Sequence, residues 1–401
     1  MKRILLILTG ISSLAFGQTA DMVSLGAGYA NESYYSFANG EQENVDNNNW
    51  HLAFDLSQYG VAVRLNRKQV WLYDSEEQVG NWATTVDTTG MAAGWLQYIN
   101  GYDFWDEGAL NNAADPGNGY DMGWGDYNTT THQIIGTRIF VLKFNDGTCR
   151  KLLIESLIGG AYTVKHADLD GANEVTVTVT KSDYANRNFV YYNVQTDTLI
   201  DREPAADSWD IVFTNYVLEL APGYYSGVTG ALHNQNIEVS VSSGVPVATA
   251  TYSLWEDTIS TIGYDWKSFN MSTFEYDIVA DLCYFVKEEN GNIWKLVFTD
   301  FEGSSTGNIY FTKELVESAG IPEYEGASLA VYPNPASDFI KVESAHNITE
   351  MKLIDMNGAI VLDQISALQT LSLSAVENGV YLLQVINDKG RLAHKRVVVQ
   401  H

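Results

Sequence analysis

The stretch Ser208-Trp-Asp-Ile-Val-Phe-Thr-Asn-Tyr216 decides the fold, because a weaker copy, Asn49-Trp-His-Leu-Ala-Phe-Asp-Leu-Ser57, stands 159 residues before it. Each copy opens on a Trp and then alternates, which puts Trp209, Ile211 and Phe213 on one face of a strand and Asp210, Val212 and Thr214 on the other. That spacing predicts a half-buried strand. A Tyr pair precedes each copy, Tyr34-Tyr35 and Tyr191-Tyr192. A hairpin follows each: Phe140-Val-Leu-Lys-Phe-Asn-Asp-Gly-Thr-Cys-Arg-Lys-Leu152 lines up with Phe285-Val-Lys-Glu-Glu-Asn-Gly-Asn-Ile-Trp-Lys-Leu296, both ending Gly-x-x-x-Lys-Leu. The repetition predicts two related antiparallel β-rich units, 18–187 and 188–317.

Period-two alternation runs through the rest of the chain, as in Glu174-Val-Thr-Val-Thr-Val-Thr180 and Ile237-Glu-Val-Ser-Val-Ser242. Turn signals such as Asn145-Asp-Gly147 and Glu289-Asn-Gly291 separate the runs. The expected fold class is therefore all-β, with Phe311 to Ser318 the one segment that could make a short helix. Composition agrees with packed cores: 45% of the 401 residues are hydrophobic and 12% aromatic. A formal charge of −27 disfavours nucleic acid and anionic membrane surfaces as partners.

Met1-Lys-Arg followed by the apolar run Ile4 to Phe16 has the form of a secretory signal peptide, with cleavage expected at Gly17–Gln18. No other run approaches the ~20 apolar residues of a membrane-spanning helix. Two cysteines, Cys149 and Cys283, are present; they could pair in an oxidising compartment or remain buried thiols. An insertion, 73–131, carries Trp82, Trp95, Trp105 and Trp124 among Gly, Asn and Asp, and is either a functional loop or a lid with its own small core. The Pro/Gly/Glu-rich stretch 318–327 reads as a linker, and 328–401 as a small C-terminal β-sandwich.

That last module resembles the C-terminal sorting domain of type IX secretion substrates of Bacteroidetes. The matching residues are Val331-Tyr-Pro-Asn-Pro335, Ile354-Asp-Met-Asn-Gly358, Glu377-Asn-Gly-Val-Tyr-Leu-Leu383 and His394-Lys-Arg-Val-Val-Val399. Pro333, Asn334, Pro335, Gly379, Tyr381 and Lys395 carry the signal. The resemblance implies recognition by an outer-membrane translocon, with the cargo attached to surface lipopolysaccharide or released. The upstream units resemble the HmuY family of surface haem-binding proteins, through Ser208-Trp-Asp-Ile-Val-Phe213, Gly223-Tyr-Tyr-Ser-Gly-Val-Thr-Gly-Ala231, Cys283-Tyr-Phe-Val-Lys287 and Lys295-Leu-Val-Phe298. That resemblance implies a β fold holding haem between two axial His or Met side chains.

Between Trp255 and Ser318 there is no His, and Met271 is the one thioether. Haem ligation is therefore expected in the first unit, by His132 with His51, His166, Met91 or Met122 as its mate; a surface or hydrogen-bonded structural role is the alternative for each. Asp168, Asp170, Asn173 and Glu174 surround Gly171 and offer hard oxygen donors for calcium, or form a polar turn, since the twelve-residue EF-hand frame is missing. No Gly-x-Ser-x-Gly, His-Glu-x-x-His or P-loop occurs. The expected function is an exported binding protein for haem or, through Trp/Tyr-rich loops, a glycan or peptide; an extracellular hydrolase is the third reading.

Overall fold

The computed structural model describes residues 17–318, 330–343, 348–355, 358–365, 369–387 and 392–401. The signal peptide expected at 1–17 and the linker at 318–327 thus lie outside the described residues except for Gly17 and Ser318. The chain divides into two compact units between Val316 and Glu317. Both are built of antiparallel sheets, as expected from the alternation.

In the larger unit the same order of nine strands occurs twice. The first set is β1 (Thr19–Ser24), β2 (Asn31–Ser36), β3 (Gly40–Asp46), β4 (Leu52–Asp55), β5 (Val63–Leu65) and β6 (Val70–Gln78). After an insertion with β7 (Gln97–Tyr98), β8 (Gly125–Asn128) and β9 (Gln133–Gly136), it closes with β10 (Arg138–Phe144), β11 (Cys149–Ile158) and β12 (Ala161–Asp168). The second set is β13 (Val175–Thr180), β14 (Phe189–Asn193), β15 (Thr198–Ile200), β16 (Ile211–Ala221), β17 (Tyr224–His233) and β18 (Glu238–Ser243). It continues past a hairpin, β19 (Lys267–Asn270) and β20 (Glu275–Ile278), to β21 (Leu282–Lys287), β22 (Ile293–Phe301) and β23 (Asn308–Glu317).

The two sets exchange their first three strands. One lobe holds the sheets β15-β14-β4-β5 and β13-β12-β11-β10-β6; the other holds β3-β2-β16-β17 and β1-β23-β22-β21-β18. The register is the same at both crossings: Tyr191 faces Ala53 and Tyr192 faces Leu52, as Tyr34 faces Val212 and Tyr35 faces Ile211. Each Tyr-pair strand thus completes the sheet of the other copy's Trp strand. A division at 187/188 cuts through three of these sheets, β15-β14-β4-β5, β3-β2-β16-β17 and β1-β23-β22-β21-β18, each of which draws strands from both sides of it, and the joint between the two sets falls in the β12–β13 turn. The hairpin alignment also shifts by one residue, with Tyr284 rather than Phe285 standing where Phe140 does, each twelve residues before its Leu partner.

The exchange explains why β16 is buried on both faces rather than one. Ile211 and Phe213 enter the core of their lobe with Tyr35, Phe298 and Phe311, whereas Val212 packs with Trp209, Tyr34 and Tyr216 against the opposite lobe. Trp209 therefore lies on the Val212 side, not with Ile211 and Phe213. It precedes the first residue of β16, where the chain is not yet extended and strand parity does not hold. Leu52 and Phe54 in one core with Ala53 and Trp50 in a separate cluster repeat the pattern. The segment from Phe311 is strand, not helix: β1 supplies its ladder partners, and Ile309 and Phe311 alternate into the core.

The smaller unit comprises β24 (Ala330–Tyr332), β25 (Phe339–Glu343), β26 (Ile348–Ile354), β27 (Ile360–Ile365), β28 (Thr370–Ser372), β29 (Gly379–Asn387) and β30 (Leu392–Val399). They form the sheets β24-β25-β28 and β27-β26-β29-β30 around a core with Ile340, Met351, Leu353 and Leu383. Among the described residues no helix is long and apolar enough to cross a membrane.

Candidate functional site

The faces left over by the two lobe cores meet at a junction. Tyr34 stands edge-on to Trp209 and Tyr191 edge-on to Trp50, each pair with ring centroids 4.9 Å apart, and the two Tyr hydroxyls meet at 3.1 Å. Around this pseudo-twofold contact the polar groups are not symmetric. Glu32 is buried and takes Arg202 Nη1 at 2.5 Å, the Thr214 hydroxyl at 3.0 Å and the Tyr34 hydroxyl at 3.2 Å. Glu203, also buried, accepts the Tyr191 hydroxyl and the amides of Asn188 and Phe189. Burial pushes Glu203 up to about 7 against those donors. Trp50 Nε1 donates to Asn47, but the Trp209 indole has no partner among the described residues, because Ala206 stands where the first copy has Asn47.

The insertion plugs this junction. Arg64 is buried, donates to the carbonyls of Gly101 and Trp105 at 2.9 Å each, and lies against the rings of Tyr102 and Trp105. Trp105 in turn donates to the His233 carbonyl and packs near Phe189 and Trp209. None of the ten tryptophans is exposed, so the aromatic loops serve packing and leave no open indole platform. Two spaces flank Trp105. One is a narrow cavity of about 70 Å³ bordered by Arg64, Arg67, Lys68, Glu32 and Tyr216. The other is an open cleft of about 910 Å³ between the lobes.

The cleft is acidic. Asp55, Asp106, Glu238, Asp257, Glu288 and Glu289 line it against a single base, Lys287, which is paired with Glu238 at 2.5 Å. Exposed Tyr59 and Phe104 stand on its wall, Tyr59 at 87% of its full accessibility. The tight turn that presents Tyr59 requires Gly60, where a Cβ would lie 1.9 Å from Asp55 Oδ2. His233 closes the cleft floor, buried between the carbonyls of Asn234 and Thr258 at 2.9 and 2.8 Å. No motif in the sequence marked this residue, because its partners are backbone atoms brought in by the strap before Gly263.

The haem-ligand candidates fall elsewhere. His51 is buried with Nδ1 accepting the Val194 amide, and burial pulls it down to about 4. His166 is fully buried, between the Tyr192 hydroxyl at 2.8 Å and Arg150 at 3.1 Å. His132 is exposed in the β8–β9 turn, with Nδ1 bonded to the Tyr127 hydroxyl. Met122 and Met91 pack into hydrophobic clusters, and Met271 is 73% exposed. None of these lines the junction cavity or the cleft. With His51 and His166 buried, His132 exposed in a turn of its own and no open space shared between them, these side chains do not bracket a flat macrocycle.

Asp168, Asp170, Asn173 and Glu174 shape the β12–β13 turn. Asn173 donates to Asp168, the Ala172 amide to Asp170, and Glu174 binds Trp82 and Lys165. Among the described residues no group of three or more His, Cys, Asp or Glu side chains is arranged to hold a metal. Cys149 and Cys283 are free, one in each lobe.

In the smaller unit Asn334 ties its loop to β30, donating to the Arg396 carbonyl and accepting from the Val398 amide. Gly379 lies under the Tyr381 ring, where a Cβ would approach within 3.2 Å. Lys395 is exposed on β30. Residues 330–400 form a secretion system C-terminal sorting domain. The tail implies engagement with the secretion system and export to the cell surface or the medium.

No curated protein matches the chain. Two solved structures are similar at 10% identity. They are PorZ, a surface component of the type IX secretion system of Porphyromonas gingivalis (77% of this chain, 50% of that one, TM-score 0.17), and the extracellular domain of BT4673 of B. thetaiotaomicron (76%, 47%, TM-score 0.14). The chain spans about half the length of each.

Proposed function

We propose that this protein is an exported surface module that binds basic peptide segments in the cleft between its lobes. The observation that carries this reading is the six-to-one excess of carboxylates over bases in a cleft that also exposes Tyr59 and Phe104. Carboxylate rims steer and hold cations, and aromatic faces accept both guanidinium groups and apolar side chains. A binding role fits better than a catalytic one, because Glu238 is spent on Lys287 and Glu288 on Asn290 and Asn292. The haem reading rests on sequence resemblance alone.

Fluorescence anisotropy with a labelled Lys/Arg-rich dodecapeptide tests the proposal. Because the whole chain is strongly acidic, the decisive comparison is local: Asp106→Asn with Glu289→Gln should weaken binding about tenfold, and Tyr59→Ala several-fold, while the net charge hardly changes. Unchanged affinity in both variants would reduce the effect to non-specific attraction. Binding of a neutral oligosaccharide, lost in Tyr59→Ala, with no peptide binding, would reassign the aromatic wall to sugar.

A further inference from the structure

The two large sheets of the lobes end in four strands, and three of those ends are protected. β6 is covered by β7, which is two residues long. β18 is covered by the strap before Gly263, where Val239 and Glu256 exchange backbone hydrogen bonds at 2.9 Å and the Ser253 amide donates to the Ser240 hydroxyl. β1 is open, but Asp21 stands two residues before its buried Val23 and so faces inward with it, accepting the Tyr35 hydroxyl and lying 3.6 Å from Lys313. A short end strand, a cover and an inward-facing charge are devices by which a sheet edge avoids pairing with another chain. The fourth end, β13, has none of them. Its sequence, Val175-Thr-Val-Thr-Val-Thr180, holds no charge, no proline and no bulge, and Val177 stands two residues before buried Val179, where β1 has Asp21.

The register shows which groups this edge presents. The Lys181 amide donates to the Gly160 carbonyl, and in an antiparallel ladder the bonded residues alternate. Val175, Val177 and Val179 therefore spend their N–H and C=O groups on β12, and Thr176 and Thr178 turn theirs outward. Among the described residues no strand pairs with that side, and no hydrogen bond reaches those outward groups. The side chains alternate with the same period: Val177 and Val179 pack on the lobe core, and Thr176 and Thr178 are exposed. A row of unpaired amides and carbonyls on an uncharged strand is a template for another extended strand.

We propose that β13 pairs antiparallel with β13 of a second copy of this chain, joining their large sheets across a twofold axis at Val177. The sequence itself selects that partner, because Val175 to Val179 reads the same in both directions. With Val177 on the axis, Thr176 meets Thr178 and Val175 meets Val179, so threonine lies on threonine and valine on valine. The outward N–H and C=O groups of Thr176 and Thr178 then bond those of the other copy. A shift by one residue would set the valine face of one copy against the threonine face of the other. β13 carries no charge in a chain of formal charge −27, so salt should strengthen the pairing by screening the repulsion between copies. β13 lines neither the cleft nor the junction cavity, and the pairing is independent of the peptide-binding proposal.

Sedimentation velocity of the chain from Gln18 to His401, over a range of protein and salt concentrations, tests the proposal. A monomer–dimer equilibrium should appear and move toward dimer as salt rises. Thr176→Lys with Thr178→Lys sets like charges opposite each other and should raise the dimer Kd at least about tenfold, although it lowers the net negative charge of each copy. Thr176→Ser with Thr178→Ser should match the parent. Val177→Cys should form an intermolecular disulfide under mild oxidation, since a non-bonded pair on the axis brings its Cα atoms to ~4.5 Å, within disulfide range. Val175→Cys should not, because the two copies of that residue lie four positions apart along the ladder, ~14 Å. The parent, with its free Cys149 and Cys283, sets the baseline for both. If Val177→Cys does not fold, the lysine variant decides alone, since Thr176 and Thr178 are exposed. The proposal fails if the parent stays monomeric at every concentration, if the folded lysine variant keeps the parent Kd, or if Val175→Cys cross-links as readily as Val177→Cys.

Discussion

Arg202→Met isolates what the lobe junction contributes to stability. The Arg202 and Glu32 side chains are 3% and 8% exposed and 2.5 Å apart. Removing the guanidinium leaves the Glu32 carboxylate in the interior with only the Thr214 and Tyr34 hydroxyls to hold it. Breaking one side of a buried pair costs ~3–5 kcal/mol, a large part of the ~5–15 kcal/mol that holds a typical domain. Methionine keeps most of the packing against Tyr191 and Trp50, over which Arg202 now lies at 4.8 and 5.8 Å, so little of the loss should come from a void. For a unit this large, with m near or above ~3 kcal/mol per M, the urea midpoint should fall by ~1 M. Adding Glu32→Gln should recover part of that loss, because the orphaned charge disappears; the two substitutions should then couple by ~1–3 kcal/mol in a double-mutant cycle. A single-variant cost below ~1 kcal/mol, within the range of an exposed pair, or strict additivity, would refute the view that this pair is desolvated and locks the lobes.

Trp50→Ala and Trp209→Ala should each destabilise the larger unit by ~3–5 kcal/mol, because each indole is buried against the exchanged Tyr of the other copy; an unchanged melting curve for either would place that ring in solvent. Glu203 is raised by burial from 4.5 to about 7, so its contribution is full below 4.5 and is lost as pH rises through about 7, the unfolded chain releasing its proton first. At ~1.36 kcal/mol per pH unit this is worth ~3 kcal/mol. Glu203→Gln should therefore remove that decline, read as the difference between variant and parent in urea unfolding from pH 4 to 8; parallel curves would count against it. Asn334→Ala, which severs two ties to β30, should loosen the sorting domain by ~1–2 kcal/mol in amide exchange near Val398, and protection equal to the parent would contradict it. Deleting 328–401 should leave the cargo in the periplasm, and normal surface display of the truncated chain would overturn the sorting role.

Strand character was legible because period two is a local property: Val175 to Thr180 and Glu238 to Ser243 alternate in the sequence and are strands in the structure. The repeated Trp strands and Tyr pairs were legible for the same reason. What sequence could not reveal is which copy's Tyr strand pairs with which copy's Trp strand, since both pairings satisfy the same local pattern and differ only in long-range partner. From that one ambiguity came the misplaced boundary at 187/188 and the assignment of a single buried face to β16. The candidate site was less legible still. His51 and His166 looked available as residues, yet the fold buries both, with His51 Nδ1 taken by the Val194 amide and the two ring nitrogens of His166 by Tyr192 and Arg150. His233 lies in no motif, and its setting is made by the backbone carbonyls of Asn234 and Thr258. The sorting tail was readable because its signal residues stand in short contiguous motifs, Val331 to Pro335 and Glu377 to Leu383, although the tie from Asn334 to β30 joins residues 62 apart in sequence.

The exchange of strands also explains why the chemistry gathers at the junction rather than in either lobe. Positions inside the lobe cores are bound by packing on all sides, and there the two copies stay alike: Leu52 and Phe54 match Ile211 and Phe213, and Leu152 matches Leu296. At the junction the matching positions face each other across a pseudo-twofold axis, where identical charges would meet and repel. A symmetric Glu32 would need a second buried carboxylate at position 189, close to Glu203, which receives the Phe189 amide; the chain places a phenylalanine there instead. Asymmetry in polar content is thus what a duplicated scaffold requires in order to bury charge at its own axis. Its by-products are a cavity bordered by Arg64, Arg67 and Lys68 on one side of Trp105 and an acidic cleft on the other. Both spaces are lined by residues of both strand sets, from Glu32 to Trp105 and from Phe189 to Leu232 in one, from Asp55 to Asp106 and from His233 to Glu289 in the other, so they belong to the duplicated scaffold and not to either copy.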